Sequence, residues 1–199
     1  MPKYHTTILL IVLLISTIGK AQNQLLSVAE LLTLKNEENL KNSSSQTIKL
    51  SLKKQKLKSI PNEVFNLENL QYLDLSKNNI DSIPPQIKNL KNLQVLYLNK
   101  NKIYSIPAEL YELKNLKIIS LNSNDINYIS PLIQNWNKLE KLDLWNTNVT
   151  QLPEQITRLE QLKEIDMRGI SMNPTQQQQI FDLLPNVKIL FSTPCNCGF

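Results

Sequence analysis

Apolar side chains recur along the middle of this chain at a fixed interval of 23 residues. Four segments align without insertion or deletion: 70–92, 93–115, 116–138 and 139–161. The segment 47–69 is a further unit in which Thr47 replaces the leading Leu, and a degenerate sixth unit begins at Leu162. Such a period predicts stacked repeats, because one unit alone cannot bury its apolar face.

The apolar spacing changes halfway through each unit. Leu73 and Leu75 alternate at period two, which places both side chains on one face of a short strand. Further along, Ile83, Ile87 and Leu90 follow the spacing of helical turns. Proline starts this return segment in four units, at positions 61, 84, 107 and 153, whereas the fourth unit has Ser130-Pro131. Each unit is therefore predicted to be a strand followed by a helical or 3₁₀ return.

The unit pattern LxxLxLxxNxLxxLPxxLxxLxx resembles the leucine-rich-repeat family over residues 47–172. It is most similar to the 23-residue class found in many bacterial surface proteins. The resemblance implies an α/β solenoid: a curved parallel β-sheet on the concave face, helical or 3₁₀ turns on the convex face, and caps at both ends. The turns after three of the strands carry an asparagine that we expect to point inward and bond backbone groups: Asn78, Asn101 and Asn124. Gln55 and Thr147 take this position in the first and fifth units.

Residues 22–46 precede the repeats and predict an N-terminal capping helix and a polar connector. The apolar spacing favours a helix over 25–35, which we expect to cover the open end of the first unit. Residues 173–199 predict a C-terminal cap and tail, beginning with a helix over 174–184 that Asn173 caps. A final strand is expected over 187–191.

Residues 1–21 resemble a cleavable export signal. An apolar run over 8–18 follows a weakly basic start, and Gly19-Lys20-Ala21 places small residues before a cut at Gln22. The run is about half the length of a membrane span, although an uncleaved anchor is the alternative. We therefore expect a secreted, periplasmic or cell-envelope protein, bacterial in composition, with no stable membrane span once the signal is removed.

The net charge and the histidine content of the chain exclude several classes of function. Removal of residues 1–21 lowers the net charge from +5 to +3, because Lys3 and Lys20 are lost. This excess is too small to favour nucleic acid as a partner. The single histidine, His5, is lost as well, which excludes imidazole-based catalysis and histidine metal sites. We expect no enzyme activity, no cofactor and no metal.

Both cysteines, Cys195 and Cys197, lie in the last five residues. In an exported protein they favour a disulfide with each other or an unimportant tail. A redox or metal-binding role is the alternative, although the neighbourhood offers no further zinc ligands.

The strand positions between the core leucines form the concave face in this family. Six of them carry apolar, aromatic or arginine side chains that we expect to contact a ligand: Tyr72, Val95, Tyr97, Ile118, Trp145 and Arg168. Trp145 and Arg168 occupy one column on adjacent strands about 4.8 Å apart, so they can stack. In the competing interpretation, Arg168 merely shields Trp145 and both are inert.

Charges are graded along the predicted solenoid. A basic rim lies over the first units, comprising Lys53, Lys54, Lys77 and Lys100, and acids lie towards the other end. These lysines either bind a ligand or are ordinary solvated side chains. The sequence therefore predicts a non-catalytic, exported module that binds a protein or peptide. The alternative is a cell-envelope or adhesion element that binds glycan or an anionic polymer through the lysine-rich units.

Overall fold

The computed structural model describes residues 25–34 and 44–192, which contain a seven-stranded parallel sheet with its strands in chain order. The strands are β1 Lys49–Ser51, β2 Tyr72–Asp74, β3 Val95–Tyr97, β4 Ile118–Ser120, β5 Lys141–Asp143, β6 Glu164–Asp166 and β7 Lys188–Leu190. The 3₁₀ returns are η1 Asn62–Asn66, η2 Pro85–Asn89, η3 Ala108–Glu112, η4 Pro131–Asn135 and η5 Glu154–Arg158, and the α-helices are α1 Val28–Thr33 and α2 Pro174–Leu183. The predicted signal over 1–21 and the cysteines Cys195 and Cys197 lie outside the described residues.

Strand pairing follows the sequence period. The central residues of successive strands are register partners and form one column: Leu50, Leu73, Leu96, Ile119, Leu142, Ile165 and Ile189. Because neighbouring side chains on a strand point to opposite faces, this column faces the core while the residues on either side of it face the concave surface. The predicted solenoid with an open parallel sheet is confirmed.

The returns are 3₁₀ segments, and proline sets where most of them begin. Pro61, Pro84, Pro107 and Pro153 occupy the N-cap positions, where their missing N–H leaves no helical bond unmade. In the fourth unit Ser130 takes this position, and its hydroxyl accepts from the Leu132 amide at 3.2 Å. The Ser130 amide donates to the phenol oxygen of Tyr111 at 3.2 Å, a bond that proline could not make.

The asparagine column joins successive units from inside the turn. Asn124 Nδ2 donates to the carbonyls of Leu98 and Leu121 at 3.0 and 2.8 Å, and Asn124 Oδ1 accepts from the Ile103 amide at 3.0 Å. Asn78 and Asn101 make the corresponding bonds to backbone groups of their own unit and of the preceding one. The inward, backbone-bonding role predicted for this column is therefore confirmed.

The C-terminal end follows the predicted order of helix and strand. Asn173 caps α2 through a reciprocal pair of bonds with Gln176, as expected of a good N-cap. Ile180 is buried against the last repeat. The final strand is β7, which pairs with β6 and is shorter than the predicted 187–191.

The N-terminal helix differs from its prediction in length and position. Helix α1 has six residues rather than the eleven expected over 25–35, and Ser27 caps it with Glu30. Its buried residue, Leu31, packs against Tyr72 and Val95 on the concave face. The apolar side of this helix is therefore buried on the inner face of the sheet.

Candidate functional site

The register places four of the predicted concave residues in two columns on one face of the sheet. Tyr72, Val95 and Ile118 are successive partners in the first column, and Tyr97 lies in the second. Trp145 and Arg168 lie two residues beyond the last residues of β5 and β6. Four of the six residues therefore lie within the strands, and the other two lie in the turns that follow.

The N-terminal half of this face is covered by the chain itself. Tyr72 is 8% exposed and Val95 is fully buried, because Leu31 of α1 packs on both. Tyr97 and Ile118 are half-buried at the edge of the same cluster, and the Tyr97 ring meets the Tyr72 ring edge-on at 5.6 Å. Burial, and then the charge of Asp74, raise the pKa of Tyr72 above its ordinary value. Two of the six residues expected to contact a ligand, Tyr72 and Val95, are therefore covered by helix α1.

Polar side chains that the sequence analysis missed hold the covering segment by its backbone. Gln71 Oε1 accepts from the Leu26 amide at 2.8 Å, and Gln94 Nε2 donates to the Leu26 carbonyl at 2.7 Å. Lys49 Nζ donates to the Leu32 and Leu34 carbonyls at 3.2 and 3.1 Å. The same ammonium lies 4.6 Å from the centre of the Tyr72 ring. No motif signalled these contacts, because their partners lie 15 to 68 residues away along the chain.

Within residues 25–34 and 44–192, no segment covers the C-terminal half of the face, which carries Trp145 at 39% exposure. Its indole lies against the next turn, so a Cβ at Gly169 would come within 3.2 Å of Nε1. Its backbone amide donates to Asp143 Oδ1 at 3.2 Å, and the other oxygen of Asp143 accepts from the Ser120 hydroxyl. Trp145 is therefore an exposed aromatic on a turn with fixed geometry.

Arg168 pairs with Asp166 rather than with Trp145, its neighbour in the predicted column. Its guanidinium donates to both Asp166 oxygens, with Nε to Oδ1 at 3.0 Å and Nη2 to Oδ2 at 2.6 Å. Although burial raises the pKa of Asp166, the hydrogen bonds from Arg168 hold it below its usual range. Among the described residues, Arg168 has no cation–π contact with Trp145.

The basic rim is a column of left-handed turns. Lys54, Lys77 and Lys100 have φ of 61°, 59° and 58°, and each follows a strand at the same point of its unit. Their proximity lowers the pKa of Lys77, mainly through the charge of Lys54 and then that of Lys100. Lys53 lies beside this column, with Nζ 4.0 Å from Asp74 Oδ2. The structure therefore brings the four predicted rim lysines together.

A three-charge network marks the acidic end. Glu164 accepts from Lys141 Nζ at 2.6 Å and from Lys188 Nζ at 2.9 Å. These hydrogen bonds, first that of Lys141, lower the pKa of Glu164 to about 2. The network joins three adjacent strands, β5, β6 and β7.

We expect acid to weaken this network in a defined window. The folded-state pKa of Glu164 lies below the unfolded value of about 4.3, so its contribution is complete above that pH and is lost as pH falls through about 2. The fall in melting temperature from pH 5 to pH 2 should therefore be smaller for Glu164→Gln than for the unsubstituted protein. Glu112→Gln, at an exposed position on η3, is the matched control. Identical pH profiles for all three proteins would contradict the network.

A second concavity lies outside the sheet, between the third and fourth units. This cleft of about 270 Å³ is lined by the exposed Tyr104 and Tyr128, with the buried Tyr111 among its other walls. The repeat pattern does not predict this cleft, because its tyrosines occupy different positions in their units. Within residues 25–34 and 44–192, no helix has both the length and the hydropathy needed to cross a bilayer.

Comparisons with family models and with solved structures both show that the chain is similar to leucine-rich-repeat proteins. A family model described as a leucine-rich repeat region matches residues 21–143. A search of curated proteins found no match. The solved leucine-rich-repeat protein of Leptospira interrogans is 36% identical, with a TM-score of 0.66 over 68% of this chain and 35% of that one. The chain thus spans about a third of the length of that protein.

Two further solved structures are similar. Internalin C2 from Listeria monocytogenes is 24% identical with a TM-score of 0.58, and the match covers 68% of this chain and 57% of that one. At this identity the likeness shows the fold alone. The PEPR1–AtPEP1 structure is 32% identical with a TM-score of 0.50, over 55% of this chain and 16% of the other.

Proposed function

This chain belongs to the leucine-rich-repeat family, and we propose that it is a non-catalytic module that binds a protein or peptide on its concave face. The fold supports protein binding in general. The observation that carries the proposal is Trp145, an exposed indole on the open half of the sheet beside an Arg168 that Asp166 locks in place. Exposed Trp and Arg side chains on a preorganised surface are typical binding hot spots.

The carboxylates of this face favour binding over catalysis. Asp143 accepts from Ser120, Asp166 is forked with Arg168, and Glu164 bridges two lysines. The pKa values of Asp166 and Glu164 are lowered, whereas a general acid at neutral pH needs a raised one. These groups position neighbouring side chains and set a charge pattern.

The open part of the face suits a small ligand. Strands β4–β7 present a surface about 19 Å wide and 16 Å along the strands. A standard protein partner covers about 800 Å² per side, which is more than twice that area. A peptide or a narrow protein loop fits, and PEPR1, one of the similar structures, was solved together with AtPEP1.

We place this binding outside the cytoplasm of a bacterium. The apolar run over 8–18 and the small residues before Gln22 support export. A ligand at the cell surface or in the periplasm is therefore the one to seek.

Trp145→Ala should strongly reduce ligand capture while leaving the fold intact. Crosslinking pulldown from a cell-surface extract of the source cells, with quantification of the bound species, measures capture. Because truncation of a hot spot costs about 2 kcal/mol or more, affinity should fall roughly 30-fold. Tyr128→Ala, an exposed aromatic beside the 3₁₀ returns, should capture the ligand normally. Equal capture by all three proteins would refute the concave site.

The lysine column favours a second candidate function, the binding of glycan or an anionic polymer at the basic rim. The lowered pKa of Lys77 reflects a concentration of positive charge at Lys54, Lys77 and Lys100. Such binding weakens steeply as salt screens the charges and is indifferent to Trp145→Ala. Capture that survives this substitution but disappears in high salt would support the rim in place of the indole.

A further inference from the structure

Residues 25–34 lie on the concave face as a bound peptide would. They form helix α1 and its flanks and add no strand to the sheet. Their anchor, Leu31, is fully buried in a small cluster with Tyr72 and Val95 that is separate from the main leucine core. The repeats thus keep their own core whether or not this segment is in place.

Most of the polar contacts between the repeats and residues 25–34 are made to backbone atoms of the segment. Gln71 and Gln94 bond the amide and the carbonyl of Leu26, and Lys49 bonds the carbonyls of Leu32 and Leu34. Any peptide offers these groups in the same conformation. Sequence selectivity comes from the apolar positions, where Leu31 is the anchor and Leu26 and Val28 pack around it.

We propose that this cluster is a peptide-binding site and that residues 25–34 are its displaceable internal ligand. The external ligand is a peptide segment with two apolar residues five positions apart, one helical turn, and free carbonyls at the end of that turn for Lys49. This inference rests on the proposed binding function and specifies its ligand class and regulation. A partner that displaces the segment also gains access to Tyr97 and Ile118, which continue the surface towards Trp145.

Three features make the segment replaceable. Helix α1 has six residues, and isolated helices shorter than about 12 residues are marginal in water. Leu32 and Leu34 of the segment are 53% and 39% exposed, so much of its apolar surface is unburied. Gln94 Oε1, buried beneath it, has no hydrogen-bond partner among the described residues. A ligand that donates to this oxygen would fit better than the internal segment does.

The test uses the full chain and a synthetic probe, a fluorescein-labelled peptide with the sequence of residues 25–34. Leu31→Asp places a charge in the apolar cluster and should release the segment. Binding of the probe, measured by fluorescence anisotropy, should become at least tenfold tighter than in the unsubstituted protein. Leu32→Asp makes the same change at the exposed neighbouring position and should leave probe affinity unchanged.

Hydrogen exchange separates the outcomes. Leu31→Asp should remove protection from residues 25–34 and leave the repeats protected. Adding Val95→Lys, at a position that faces solvent once the segment has left, should abolish probe binding. A released segment without tighter probe binding would overturn the proposal, as would a segment that stays protected in Leu31→Asp. A concentration-dependent dimer that Leu31→Asp abolishes would also overturn it, by assigning the occupant to a second copy.

These readouts are independent of the capture experiment. Loss of capture in Trp145→Ala together with unchanged probe binding in Leu31→Asp would retain the binding function and reject the internal ligand. Suppose instead that Leu31→Asp binds the probe more tightly and Trp145→Ala captures the ligand normally. That result would retain the peptide site and reject the surface around Trp145.

Discussion

Trp136→Ala is expected to lower the free energy of unfolding by about 3–5 kcal/mol. Trp136 occupies a core leucine position of the fourth unit and is fully buried. Its ring stacks on Tyr111 with centroids 4.6 Å apart, and Nε1 donates to the Leu110 carbonyl at 3.1 Å. The substitution therefore leaves a cavity at the junction of two units, and it removes one of the two hydrogen bonds that the Leu110 carbonyl accepts.

Chemical denaturation followed by circular dichroism measures this loss. Trp136→Leu restores the repeat consensus and should be intermediate, because it fills part of the cavity but makes no hydrogen bond to Leu110. Tyr128→Ala, at an exposed position nearby, should change stability by less than about 0.5 kcal/mol. A loss below about 1 kcal/mol for Trp136→Ala would mean that the fourth unit packs without its indole.

Asn124→Ala is expected to cost about 2–4 kcal/mol. The Asn124 amide bonds the Ile103 N–H and the Leu121 carbonyl, and it shares the Leu98 carbonyl with Asn101. Each buried group left without a partner costs about 1–3 kcal/mol, partly offset where the chain relaxes. Because the bonds reach the preceding unit, the loss should also weaken coupling between the third and fourth units.

Thermal unfolding of three variants tests this column. Asn124→Thr copies the residue at position 147, where Thr147 Oγ1 donates to the Leu144 carbonyl at 2.8 Å, and should recover part of the stability. Asn127→Ala, at an exposed position in the same unit, should melt like the unsubstituted protein. If Asn124→Ala and Asn127→Ala melt together, the inward amide is not a structural element.

The strands, their order and their register were predictable because they depend on the repeat period. A spacing of 23 residues between Leu73 and Leu96 requires the intervening chain to leave the sheet and return one strand further on. Alternation within each strand then fixes which residues face the core. These are local rules, repeated in every unit, so one sequence was enough to apply them.

The occupancy of the concave face was not predictable in this way. Alternation places Tyr72 and Val95 on that face, but it does not say what lies above them. Their cover comes from Leu31, outside the period, and from Gln71 and Gln94, at positions where any polar residue suits the pattern. The sequence likewise places Trp145 and Arg168 in one column, yet the arginine is oriented by Asp166 on its own strand.

The left-handed turns of the rim column have a backbone cost that depends on the residue type. The last two members of the column are Asn146 and Gly169, with φ of 54° and 73°, and these residue types tolerate that conformation best. At the other end the chain carries lysine in the same conformation three times over. Lysine adopts this conformation less readily than glycine or asparagine. Lys54, Lys77 and Lys100 therefore hold positive charge at one end of the sheet at a cost in backbone strain that Asn146 and Gly169 avoid.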